Sequence, residues 1–291
     1  MQRTTPLNTC RIHTVDCMSF GVSMRIQVGS DDLFDALPGL LPLATQVKNG
    51  AISEAETFSL LPPDEQHGYR CLVGAELTLE SAAAEPVLKQ LSGELMKHVA
   101  NYCPDRVFVH AGVVGWKGRA LVLPGTSFAG KTTLTAALVR AGATYYSDEF
   151  AAVDEKGWVH PYARDLQIRE PGKTEQRNTT VASLQGHAGT APLRVAQVVF
   201  ARYEPGARWN PRPLTPGSAV LEMIRHTIPV QRIPRQVMST LTAMLEGATA
   251  WSSCRDEADV VAQLLLRSLE SGDSSSVAPD ARTLRREEAL A

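Results

Sequence analysis

Two groups of residues have the types and spacing to do chemistry, and only sixteen positions separate them. Gly125-Thr126-Ser127-Phe128-Ala129-Gly130-Lys131-Thr132 satisfies GxxxxGK[ST] at every defined position. In such a loop the backbone N–H groups face phosphate oxygens, and the N-terminus of the following helix favours the anion. Lys131 then reaches the β- and γ-phosphates, and the Thr132 hydroxyl takes a place on Mg²⁺. Gly125 and Gly130 allow the close approach that a Cβ would obstruct. Ser127 either orients phosphate or metal or hydrogen-bonds locally. The expected nucleotide-binding residues are Gly125 through Thr132, with Thr133 at the helical margin, and the expected ligands are ATP and Mg²⁺. The second group is Asp148-Glu149. One carboxylate suffices to hold Mg²⁺ in a phosphate-loop site, so an adjacent second one is free to accept a proton from an attacking hydroxyl. In an extended strand neighbouring side chains point to opposite faces, so both reach one site only if the chain turns there. The alternative is a solvated acidic turn.

The surrounding elements must place these groups together. "ALVLP" reads as a strand running into the loop, and Leu134, Ala137, Leu138 and Ala141 follow helical spacing up to Gly142. "ATYY" is the next strand and is expected to deliver Asp148 and Glu149 to the carboxyl edge of a sheet beside the loop. "RVFVHAGVV" is a strand joined to "RALVLPG" by a tight turn, and "RVAQVVFARY" has the pattern of a buried strand. "GSAVLEMIRHT", "PRQVMSTLTAMLEG" and "DEADVVAQLLLRSLE" read as helices, and "ATAWSSCR" as a strand. Upstream, "FGVSMRIQV", "YRCLVGA" and "AELTLES" alternate as strands do, and a helix is expected from Ala84 to Val99. The predicted organisation is an α/β protein. Residues 16–104 form a small α+β N-terminal unit suited to acceptor recognition, 105–270 an ATP-binding unit, and 271–291 a loose tail.

Bulk properties bound the function. A chain of 291 residues, 44% hydrophobic, is long enough for one or two cores. Its formal net charge of −2 and scattered basic residues lack the footprint of a nucleic-acid binder. No apolar run is long enough to span a membrane, and the N-terminus lacks the apolar middle of a secretion signal. The five cysteines are widely spaced and form no CxxC pair, which fits a reducing cytoplasm better than a disulfide framework or zinc site. Arg202, Arg208, Arg212, Arg225, Arg232 and Arg235 could grip phosphate or carboxylate, but a solvated surface is the simpler reading.

The loop, its short helix, Gly142 and the acidic pair after two aromatic residues resemble the C-terminal kinase domain of the HPr kinase/phosphorylase family, which shares its phosphate-loop core with the ATP-dependent phosphoenolpyruvate carboxykinases. His110-Ala111, fifteen residues before Gly125, is similar to the family's His-Gly, and "LQIRE" around Arg169 to its Leu-Glu-Ile-Arg-Gly segment. The resemblance covers roughly Arg106 to Gly172 and extends more weakly towards Glu270. It implies a P-loop kinase core with a mixed sheet flanked by helices, and a protein or peptide substrate with an acceptor serine. It also implies a homo-oligomer. Carried over position by position, it makes Asp148 the proton-handling carboxylate, Glu149 a metal ligand beside Thr132, His110 a neighbour of the phosphates, and Arg169 a balance for transferring charge. Phe128-Ala129 replaces the family's Gly-rich loop centre, and Glu149 replaces an aspartate. Neither the phosphorolytic signature nor the family's N-terminal domain is recognisable, so the resemblance supports a serine kinase but not HPr as substrate. A small-molecule kinase and a non-catalytic ATP-binding regulator are the competing readings.

Overall fold

The computed structural model describes residues 12–50, 52–126, 129–169 and 176–271. The chain divides into two compact units at the Pro104–Asp105 junction. Both are mixed α/β.

The first unit contains β1 (His13–Ser19), β2 (Val22–Val28), α1 (Asp31–Ala36), β3 (Gln46–Val47), β4 (Glu56–Leu61), β5 (Tyr69–Val73), β6 (Glu76–Ser81) and α2 (Ala84–Tyr102). The strands form one sheet in the order β3-β1-β2-β4-β5-β6, parallel only between β2 and β4. Strict alternation in β2 buries Val22, Met24, Ile26 and Val28 together with Val87, Leu91, Leu95 and Val99 of α2. The opposite register carries a bidentate Asp16–Arg25 pair at 2.8 and 2.9 Å. The stretch His13–Ser19, which no sequence pattern marks as a strand, is one because its register opposite β2 supplies a full antiparallel ladder. Tertiary pairing overrides its weak local pattern, as it does for β4, which the apolar pattern did not single out.

The second unit contains β7 (Arg106–Trp116), β8 (Arg119–Pro124), α3 (Lys131–Arg140), β9 (Thr144–Ser147), β10 (Phe150–Asp154), β11 (Trp158–His160), β12 (Leu166–Arg169), β13 (Gln176–Thr179), β14 (Leu193–Tyr203), β15 (Arg212–Pro213), α4 (Pro216–Ile224), α5 (Pro234–Leu245), β16 (Thr249–Arg255) and α6 (Ala258–Ser271). Its main sheet runs β11-β10-β7-β8-β14-β16-β15, with β9 also on β7, and β11 pairs again with β14 so that the sheet curls. β14 is central and parallel to both β8 and β16. α3 and α6 bury Leu134, Leu138, Val261 and Leu265 on one face. α4 and α5 bury Val220, Met223, Val237 and Leu241 on the other. Helices on both faces explain why "VVFA" in β14 is apolar without alternation.

The acidic pair sits between two strands that share one partner. β9 and β10 both run antiparallel to β7, one after the other, with Ser147 opposite Val113 and Phe150 opposite His110. Asp148-Glu149 directly follows the end of β9, at the loop end of β8 as the sequence places it, and the chain then returns to β7 as β10. The Ser147 hydroxyl causes the turn by accepting hydrogen bonds from the Glu149 and Phe150 N–H groups, at 3.2 and 2.9 Å. Short side chain-to-backbone bonds of this kind compete with a ladder locally, and they let both carboxylates project near one place.

Candidate functional site

His110 is the junction of the site. On one side of β7 its carbonyl accepts the Gly125 N–H at 3.3 Å, which anchors the start of the loop. On the other side the neighbouring Ala111 N–H reaches the Glu149 carbonyl at 3.1 Å, which anchors the acidic break. Two adjacent strand positions, His110 and Ala111, thus hold the glycine-rich loop and the acidic break against each other. The His110 N–H donates in turn to the His226 carbonyl at 2.7 Å, bringing in a second histidine that the sequence reading did not single out.

Within the loop, Ala129 N–H donates to the Thr126 carbonyl at 3.3 Å, and Gly130 adopts φ +81°, the left-handed region that favours glycine. α3 begins at Lys131, whose side chain is 8% exposed and whose ammonium donates to the Thr126 carbonyl at 2.9 Å. Burial lowers the Lys131 pKa, while Asp148 and Glu149 oppose the shift. The Thr132 hydroxyl lies close enough to the Asp148 carboxylate to favour its ionised form. Thr133 lies exposed on the outer face of α3.

Burial raises the Asp148 pKa to about 7 and Glu149 adds to the shift, against the pull of Thr132 and Lys131. Its Oδ1 is buried without a hydrogen-bond partner among the described residues. Glu149 is pushed upward by burial against the pull of Lys131 and Arg164, but its side chain is 47% exposed, so solvent keeps that push small. Its Oε1 lies 3.9 Å from Nε2 of His110. That spacing would suit an ion pair, yet burial, then Lys131 and His226, lower the His110 pKa to about 4. His110 is accordingly neutral near pH 7, and its contact with Glu149 is polar rather than ionic. Burial also lowers the His226 pKa.

The residues fit a small divalent cation bound together with phosphate. Mg²⁺ takes one or two carboxylates, a hydroxyl, waters and phosphate oxygens rather than an all-protein cage. The Thr132 hydroxyl and the half-exposed Glu149 carboxylate offer such oxygens, with the unpartnered buried Oδ1 of Asp148 beside them. No three His, Cys, Asp or Glu side chains converge on a common centre among the described residues.

Ser127 and Phe128 lie outside the described residues. Arg169 is paired with Gln176 in the two-stranded sheet β12–β13, and its side chain lies outside the description. Arg202, Arg208, Arg212, Arg225, Arg232 and Arg235 are all exposed, as solvated surface residues are. Among the described residues, Cys17, Cys71, Cys103 and Cys254 form no disulfide. No helix among the described residues is long and apolar enough to cross a membrane. An apolar groove of about 1050 Å³ between α4 and α5 is lined by Val220, Met238 and Leu245 and includes none of the loop or acidic residues. The chemistry-bearing groups therefore concentrate at the loop and not in this groove.

A scan against protein-family models finds no match for the chain, and a search of curated proteins finds no significant relative.

Proposed function

We propose that the chain is an ATP-dependent phosphotransferase, a serine kinase acting on a protein or peptide in the cytoplasm, on a core like that of the HPr kinase family. The observation that carries the reading is the convergence on His110 of a GxxxxGKT loop and a strand break bearing two carboxylates. A loop that only held nucleotide would require one carboxylate at most.

In this reading the N–H groups of the 125–132 loop and the Lys131 ammonium hold the triphosphate, and Thr132 and Glu149 line the metal position. When bound, Mg²⁺ neutralises charge on the phosphate oxygens. Asp148, with a pKa raised to about 7, is matched to accept a proton at neutral pH. It takes the hydroxyl proton as the serine oxygen bonds to the γ-phosphorus and the bond to the β-γ bridging oxygen breaks, releasing ADP. Neutral His110 places a polar, uncharged edge beside Glu149, so it does not compete with Lys131 for the phosphates. Little covalent work is asked of the protein, because such transfers rest on positioning and electrostatics.

Incubation with γ-labelled ATP and a host lysate tests the reading, with Lys131→Ala as control. A discrete labelled protein or peptide that is absent with the control is expected. Label only in a small molecule would shift the assignment to a small-molecule kinase. ATP binding without any labelled acceptor would shift it to a nucleotide-dependent regulator.

A further inference from the structure

We propose that Arg255 is a positioning residue for the triphosphate: it braces the phosphate loop from behind, so that the Gly130 and Lys131 N–H groups face the ligand. The inference rests on the reading of residues 125–132 as a nucleotide loop.

Arg255 ends β16 and is the register partner of Tyr203, which ends the parallel β14. Each residue grips one of two successive loop carbonyls. The Tyr203 N–H donates to the Ala129 carbonyl at 3.1 Å, and Arg255 Nη2 donates to the Gly130 carbonyl at 2.6 Å. In a planar trans peptide the C=O and the following N–H point in opposite directions. Holding the carbonyls of residues 129 and 130 towards the strand ends turns the N–H groups of residues 130 and 131 away from them. Two successive N–H groups turned this way, the first from a left-handed glycine, form an anion-binding concavity.

The brace is tight. A Cβ on Gly130 would lie 2.6 Å from Arg255 Nη2 and 2.9 Å from the Tyr203 Cβ. The guanidinium carbon stands 5.7 Å from the centre of the Tyr203 ring, and Nη1 donates to the Asp256 carbonyl at 2.8 Å. Arg255 is 1% exposed, and its Nε is buried without a partner among the described residues. Burial lowers the Arg255 pKa although Tyr203, Glu257 and Asp256 oppose the shift, so keeping a cation here is costly, and a methionine would fill comparable space without that cost. What the guanidinium supplies and methionine cannot is a hold on the Gly130 carbonyl, together with a positive charge directly behind the anion site.

The test is Mg-ATP titration of the full chain by calorimetry, comparing wild type, Arg255→Lys and Arg255→Met, with urea unfolding of each to establish that it is folded. The folded Arg255→Met protein is expected to bind Mg-ATP about tenfold more weakly or worse, the loss of a charge-assisted hydrogen bond. Arg255→Lys should fall between, because it keeps the charge and one donor. Graded rescue of this kind is a signature that a purely structural role would not give. If Arg255→Met fails to fold, the dissociation constant of Arg255→Lys decides by the same criterion. Wild-type affinity in folded Arg255→Met, or loss of folding in both variants, overturns the assignment. Absence of Mg-ATP binding by wild type would instead remove the nucleotide reading, and this inference with it.

Discussion

Asp148 carries opposing demands of stability and chemistry. Its ordinary pKa of 3.8 is raised to about 7 in the folded protein. Between these values the folded state binds more protons than the unfolded state. The favourable contribution of this carboxyl is thus complete below about pH 4 and is lost as pH rises to about 7. Asp148→Asn should therefore raise the urea midpoint near pH 8 and leave it almost unchanged near pH 4, as parallel unfolding curves would reveal. An equal effect at both values would mean that Asp148 is not held protonated by burial. For the chemistry, transfer by wild type should rise with pH through a midpoint near 7 as the base ionises. A pH–rate profile flat from about 5 to 9 would remove Asp148 from the proton-handling role. The types of these residues were legible in the sequence, since a GxxxxGKT loop and adjacent acids identify themselves by pattern. Their electrostatic states were not, because the neutrality of His110 depends on burial and on His226, which lies 116 positions away in the chain.

Among the elements, α3 on β7 determines how the loop meets the rest of the site. A Cβ on Gly112 of β7 would stand 2.4 Å from the Thr135 Oγ1 of α3, so only glycine lets this helix lie so close. Gly112→Ala should destabilise the protein by about 1–3 kcal/mol through overpacking, and Thr135→Ala in the same chain should recover most of the loss. Additive losses in the double variant, measured by chemical unfolding, would show that the two sites do not touch. Most elements near the loop were readable because strand, loop and helix follow one another with clear periodicity. The continuation past the acidic pair was not, because a sequence pattern does not reveal that β9 and β10 share β7 as partner or that Ser147 turns the chain between them. Arg255 was equally hidden: a single arginine at the end of an apolar strand looks like a surface cation until β16 is seen beside β14.

Every group assigned to nucleotide chemistry, and both apolar clusters that hold the main sheet, lie in the unit that begins at Asp105. A fragment spanning residues 105–271 should consequently fold cooperatively and bind Mg-ATP with the affinity of the full chain. Failure of the folded fragment to bind, measured by calorimetry, would require a contribution from the first unit. The helix that ends the first unit was visible in the sequence, whereas its six-stranded sheet was only half visible, because β1, β3 and β4 are defined by their partners. The central claim is that the molecule uses ATP and does not merely hold it. The most direct measurement is label transfer from γ-labelled ATP to a host lysate by wild type and by Asp148→Asn, at ATP concentrations that calorimetry shows to saturate both. Retained binding with transfer reduced about 10²–10⁴-fold is the predicted result, and full transfer by Asp148→Asn would contradict it.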